Sequence, residues 1–287
     1  MAIDHISDTA RWVAAFRAQE SERADALFSD PFARALAGPR GLELARTMRW
    51  PDAVAWNMAV RTRVLDEWIL EAAHAERVDV VLNLAAGLDT RPQRLPLPPT
   101  LRWIEADHPE ILAHKARTLA DTPSRCALER VSVDLADDAA RSALLTRVGA
   151  EARRALVLTE GLLVYLPEAL VAELARSLSA QPGFAFWMLD LVDRRVVPAL
   201  RLIWNGQLAT GGAQMQFGVT GGARWFAPMG WRLRRLRSFA DEGARLRRGA
   251  LPRLWGKVSW AVPGRLHGLV RTESGPCWLE RDRRSRP

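Results

Sequence analysis

Three acidic residues and one small-residue turn carry most of the chemistry legible in this chain. In VVLNLAAGLDTRPQRL (80–95) an apolar run, Val80 to Leu84, breaks at Ala85, Ala86 and Gly87 and then meets a charged segment. Such a run reads as a buried parallel strand, and side chains this small let the backbone approach a ligand closely. The dinucleotide spacing G-x-G-x-x-G is absent, so the turn alone says little more than that a strand ends there. Asp107 adds weight. It closes a second apolar-rich run, Leu101 to Ala106, about twenty residues after the turn, where Rossmann-type folds place the carboxylate that accepts hydrogen bonds from a ribose diol. Asp134, set among Val131, Val133 and Leu135, is an acid at a third strand end and suits an adenine amino group. Glu160-Gly161 follows a fourth run, Ala155 to Thr159. Four strand ends converge on one crevice, a nucleoside site at the mouth of a parallel sheet.

The segments NLAAGLDTR (83–91), LRWIEADHPEILAHK (101–115), VSVDLAD (131–137) and TEGLLVYL (159–166) resemble the leucine carboxyl methyltransferase family. The likeness is strongest to its bacterial branch of S-adenosylmethionine-dependent O-methyltransferases, which includes polyketide-tailoring enzymes. ESERADALFSDPFA (20–33), AVRTRVLDEW (59–68) and FAPMGWRLRRLRS (226–238) match as well, so the resemblance covers nearly the whole chain. It implies an α/β, Rossmann-like class I methyltransferase with a doubly wound, mostly parallel sheet, a helical N-terminal cap and an inserted lid. It also implies S-adenosyl-L-methionine as cofactor. The residues it points to are Arg61, Ala85, Ala86, Gly87, Asp107, His108, Asp134, Leu135, Glu160 and Gly161, with Arg17 joining from the first helix. By resemblance, Arg61 carries the contact to the cofactor carboxylate. Many members have GAG where this chain has Ala85-Ala86-Gly87, and alanines keep the turn if their φ stays negative.

That cofactor presents a carboxylate, an ammonium and a sulfonium, so its pocket needs a cation for the first and acids or carbonyls for the second. Arg61 and Glu160 fit those needs, whereas Arg63, two residues on, points roughly 160° away on a helix toward solvent or a neighbour. Several positions keep a second role. Asp107 precedes His108-Pro109 and suits a helix cap, and Glu105 shares its orientation as a rival ribose acid. Asp134 either caps a turn into 137–148 or meets the adenine. Asp89 and Arg91 either pair and brace the loop or touch cofactor, and Glu160 supports Arg61, meets the methionine moiety, or does both.

The expected partner is a small-molecule methyl acceptor. A carboxylate is already ionised at neutral pH, whereas a phenol, with a pKa of about 10, benefits from a general base. None of the five histidines sits in a motif that assigns it that role, which leans toward a carboxyl acceptor or a substrate-assisted reaction. Tyr165, the only tyrosine, reads equally as a packed amphipathic residue and as an acceptor-side hydrogen-bond donor. Trp204 and Phe217 are the substrate-side candidates of a Gly-rich stretch, 193–225, that reads as a mobile lid. The alternative reading is methylation of a protein C-terminal carboxylate or of RNA; a pure cofactor-binding module is a third.

These residues need elements to position them. Apolar spacing predicts amphipathic helices over 8–26 and 53–75, with Asp30-Pro31 and Gly38-Pro39 as punctuation between them. Alternating strands and helices follow, the helices at Pro109–Ala120, Ala139–Val148 and Glu168–Ser179, and 231–239 with 276–282 suit an antiparallel pair closing the sheet. One domain results: cap 1–75, cofactor-binding core 76–192, lid insertion 193–230, and C-terminal strands and tail 231–287. A chain of 287 residues with 48% hydrophobic content buries such a core. No secretion signal and no apolar run of roughly 20 residues is visible, so a cytoplasmic protein without a membrane partner is expected. Cys126 and Cys277 are far apart without metal-ligand spacing and read as idle thiols, with no metal site. Nothing sets an oligomeric state. The formal charge of +8 and the arginines after Gly230 raise nucleic acid as a partner. Lys115 and Lys257 are the only lysines, however, so arginine is a chain-wide habit and no specific nucleic-acid site is expected.

Overall fold

The computed structural model describes residues 6–48, 51–198, 200–201, 214–248 and 273–282. A seven-stranded sheet runs in the order β3-β2-β1-β4-β5-β7-β6. Its strands are β1 Val80–Leu84, β2 Arg102–Asp107, β3 Ala127–Ser132, β4 Ala155–Thr159, β5 Phe184–Leu191, β6 Trp231–Leu236 and β7 Gly275–Arg281. β1 to β5 pair in parallel, and β7 lies antiparallel between β5 and β6. Every residue of β1 and β4 is buried, which is why both read as unbroken apolar runs: helices cover both faces of a parallel sheet. The order reverses between β1 and β4, and open α/β sheets bind ligands in the crevice that such a reversal leaves beyond the strand ends.

Three N-terminal helices, α1 Ile6–Ser21, α2 Ala33–Thr47 and α3 Pro51–His74, form the cap. α2 was not expected from the Gly-Pro punctuation. Gly38 takes φ 60°, ψ −178°, a conformation only glycine adopts comfortably, and Pro39 restarts the helix with its ring-fixed φ. The core helices are α4 Arg91–Arg94, α5 Pro109–Thr118, α6 Asp138–Glu151 and α7 Glu168–Ala180, and α8 Phe239–Arg245 follows β6. Asp137 caps α6 by accepting from the Ala140 N–H, so Asp134 is not that helix's cap. β3 ends at Ser132, earlier than the Val131–Leu135 pattern suggested, and Val133 and Leu135 belong to the turn beyond it.

The arginines of β6 face acids. Arg235 meets Glu71 at 2.5 Å, Arg237 meets Glu67 at 2.6 Å, Arg232 meets Glu280 at 2.7 Å, and Arg234 pairs with Glu76. Arg234 also lies over the rings of Phe186 and Trp278. Beyond the strand, Arg245 is tied to Glu242 and the buried Arg248 to Glu20 and Asp25. These six arginines are thus neutralised locally, and Arg235 and Arg237 like Arg234 lie over aromatic rings, where a nucleic-acid track needs free cations. Of the remaining basic residues, Arg253, Arg283, Arg284 and Arg286 lie outside the described residues.

Several described side chains of the lid stretch belong to the core. Phe217, Val219, Phe226 and Met229 are buried in the main apolar cluster, the Gln216 N–H donates to the Val164 carbonyl at 2.7 Å, and Val219 bridges Asp193.

Candidate active site

A cavity of about 360 Å³ opens at the switch point, a size usual for small-molecule sites. Its walls are the turn after β1, Asp107-His108 after β2, Val133–Ala136 after β3, Glu160–Leu162 after β4, and side chains of α1 and α3. Arg17, Arg61, Ala85, Ala86, Gly87, Asp107, His108, Asp134, Leu135, Glu160 and Gly161 all line it, as does Tyr165. Sheet topology is what brings residues from such distant segments together.

The turn itself corrects one expectation. Ala85 has φ +53° and Gly87 φ +51°, so the alanine occupies the left-handed region and its φ is not negative. That costs a non-glycine residue about 1–2 kcal/mol. The turn is held in place by the Ala86 N–H, which donates to the Ala106 carbonyl at 3.3 Å, and by the Gly87 N–H, which donates to Asp107 Oδ2 at 2.6 Å. Ala85→Gly should therefore raise stability in chemical denaturation by roughly 0.5–1 kcal/mol, after the entropy glycine adds to the unfolded chain. A loss of stability would show the turn is unstrained.

Asp107 also accepts from the His108 N–H through Oδ1 at 2.7 Å, so it braces two neighbouring loops while facing the cavity. Burial pushes its carboxyl up, and the Gly87 and His108 N–H groups oppose that shift. Glu105 lies fully buried between Lys115 at 2.6 Å and Arg130 at 3.1 Å and does not line the cavity. Asp134 Oδ1 accepts from the Ala136 N–H at 2.8 Å, holding its own turn, and the residue stays exposed at the cavity rim.

Beneath the turn runs a buried ion network. Arg91, 2% exposed, bonds Asp66 at 2.7 Å, Asp89 at 2.9 Å and Glu160 at 2.7 Å. Arg94 shares Asp66, and Asn83 donates to Asp89 at 2.9 Å. Burial is the largest single influence and opposes ionisation of Asp89 and Glu160, yet Arg91 together with Lys115 and Arg94 at the first and Arg61 at the second holds both carboxyls below their usual range. Arg17 bonds Asp30 at 2.8 Å and the Leu88 carbonyl at 2.5 Å, fastening α1 to the turn. Arg63 pairs with Glu67 away from the cavity.

Arg61 is different. Its Nε lies 2.8 Å from Glu160 Oε1 but out of line, so the buried N–H has no hydrogen-bond acceptor. Its one hydrogen bond among the described residues is a long contact, 3.5 Å, from Nη1 to Asp190. A buried guanidinium with unused donors on a cavity wall, beside carboxylates, fits an amino-acid head group carrying both charges.

The family model for leucine carboxyl methyltransferase matches residues 10–179, more than half of the chain. The chain belongs to that family. A candidate S-adenosyl-L-methionine-dependent methyltransferase of Frankia alni is 38% identical over 214 residues, 67% of this chain and 73% of that protein. One of Parafrankia sp. is 36% identical over 251 residues, covering 81% and 79%. Among solved structures, a DUF574 family protein from Streptomyces avermitilis superposes with TM-score 0.58 at 14% identity, covering 94% of this chain and 96% of that one. A candidate methyltransferase from Thermobifida fusca gives 0.55 at 16% identity, covering 97% and 95%. This methyltransferase uses S-adenosylmethionine and takes a methyl acceptor.

Of the two lid candidates for the substrate side, one is described. Phe217 is buried, packs edge-on against Trp225 at 5.2 Å between centroids, and does not line the cavity; its ring fills the methyltransferase core. Trp204 lies outside the described residues. Apolar side chains that line the cavity include Val13 of α1, Met58 of α3, and Leu162, Leu166 and Leu170. Their apolar spacing looked like ordinary core. Asp190, near the end of the apolar strand β5 and bonded to Arg61 and Gly161 behind the cavity wall, was not singled out. Among the described residues no group of three His, Cys, Asp or Glu could hold a metal, and no helix is long and apolar enough to cross a membrane.

Proposed function

We propose that this enzyme transfers a methyl group from S-adenosylmethionine to a carboxyl or hydroxyl oxygen of a small, largely apolar molecule such as a polyketide. The observation that supports this reading is the cavity's apolar lining, in which Val13, Met58, Leu162, Leu166 and Leu170 share the cavity with one phenol, Tyr165. Asp107 would hold the ribose, Asp134 the adenine amino group, Arg61 the carboxylate and Glu160 the ammonium. When bound, the cofactor supplies a methyl carbon on sulfonium, open to in-line displacement. The chain's own work is to align the acceptor oxygen and exclude water. Burial pushes the Tyr165 phenol up to about 12, with Arg61 opposing, so it stays protonated at neutral pH and donates a hydrogen bond to the acceptor. The paired arginines of β6 and α8 speak against RNA as acceptor.

A screen with labelled methyl donor over matched aromatic acids and phenols tests the reading. Label in a small molecule is the expected result, and label transferred only to RNA or to protein C-termini would contradict it. Tyr165→Phe should lower kcat/KM about 3- to 10-fold through one lost neutral hydrogen bond while leaving cofactor affinity unchanged. Equal losses in both would make Tyr165 part of the cofactor pocket. Retention of nucleic acid by the chain should vanish with added salt, as counterion release requires.

A further inference from the structure

Asp190 is the last residue but one of β5, in none of the segments that carry the family resemblance. β4 and β5 pair in parallel with Thr159 opposite Leu189, so Glu160, just past β4, and Asp190, still paired with Pro276 of β7, stand side by side at that end of the sheet. Both reach Arg61 on α3. Asp190 Oδ1 accepts from the Gly161 N–H at 2.5 Å, and its Oδ2 lies 3.5 Å from Arg61 Nη1. Gly161 has φ +66°, and a Cβ there would stand 3.2 Å from Arg61 Nη1, so the guanidinium rests against the very peptide that Asp190 holds. Glu160 supplies charge to Arg61 but no aligned hydrogen bond. Asp190 is therefore the group that fixes both the floor under Arg61 and the direction of its Nη1.

We infer that Asp190 is a positioning residue: by clamping Gly161 and Arg61 it aims the free edge of the guanidinium at the amino-acid end of the cofactor. This rests on the reading of Arg61 as the carboxylate contact. A site held by a single misdirected arginine loses precision, and a supporting group that touches no ligand restores it.

The test is titration calorimetry of the full chain with S-adenosylhomocysteine and with 5′-methylthioadenosine, which keeps the adenosine and thioether but lacks the carboxylate and ammonium. Asp190→Ala should weaken S-adenosylhomocysteine about tenfold and leave methylthioadenosine within about twofold. Asp190→Asn keeps an acceptor for the Gly161 N–H but turns an amide NH2 toward Arg61 Nη1, so it should recover only part of that loss. Equal losses for the two ligands, no loss for either, or full recovery in the Asn variant would overturn the inference. Arg61→Ala separates the two layers. If it preserves the normal preference for S-adenosylhomocysteine, the reading of Arg61 falls and this inference with it; if it abolishes that preference while Asp190→Ala does nothing, only the role of Asp190 falls.

Discussion

Arg91→Ala should cost about 3–5 kcal/mol of folding stability, the usual penalty for removing one partner of a buried ion pair. Arg91 is bonded to Asp66, Asp89 and Glu160 at once, so its loss strands three acids around one buried position, with Arg94 left to serve Asp66. The deficit should depend on pH. In the intact protein the depressed carboxyls of Asp89 and Glu160 contribute stability that is fully present above their unfolded pKa values, about 3.9 and 4.3, and is lost as pH falls through the folded ones. Without Arg91, burial is opposed only by Lys115 and Arg94 at Asp89 and by Arg61 at Glu160, so both carboxyls rise and protonation relieves the variant. Urea unfolding at several pH values should show the gap widest near neutrality and narrowing below about pH 5. A gap independent of pH would mean that Arg91 acts through packing and not through charge.

Asp107→Ala should weaken S-adenosylhomocysteine about 10- to 150-fold, for a lost hydrogen bond to a charged group of roughly 1.5–3 kcal/mol. The loss has two sources: the contact proposed for the ribose, and the Gly87 and His108 N–H groups left without their acceptor. Since burial raises this carboxyl, protonation begins at a higher pH than for an ordinary aspartate, and affinity should decline early on acidification. Its effect on folding has the opposite sign. A raised acid contributes stability below its unfolded pKa and loses it as pH rises through the folded value, so the ionised, binding-ready form is the costly one. Unchanged affinity in the variant would remove Asp107 from the site, and Glu105, held between Lys115 and Arg130, is not placed to replace it.

Legibility followed how local each signal was. β1 and β4 stood out because strands buried on both faces are rich in apolar residues, and the antiparallel β6–β7 pair was expected from the family resemblance. α2 was hidden because a Gly-Pro step stops one helix and starts another, and the residues alone do not say whether the second piece continues. All eleven cofactor-side candidates line one cavity, since motifs at strand ends are brought together by topology alone. The acceptor side was not legible. Val13 and Met58 follow the same helical spacing as the buried Trp12, Phe16 and Val54, and nothing in that spacing separates a cavity wall from core. Phe217 failed for the converse reason: an aromatic among glycines suggested a lid, whereas Trp225 and the neighbouring core take up its ring. The backbone of Ala85 was misjudged because φ is set by the turn's tertiary hydrogen bonds and not by the residue that occupies it.

The most direct measurement is a calorimetric titration of the full chain with S-adenosylhomocysteine beside NAD. With Asp107 and Asp134 proposed for the ribose and adenine and Arg61 with Glu160 proposed for the amino-acid head group, the cavity should bind S-adenosylhomocysteine at a single site and give no saturable heat with NAD. Saturable binding of NAD with none of S-adenosylhomocysteine would contradict the account.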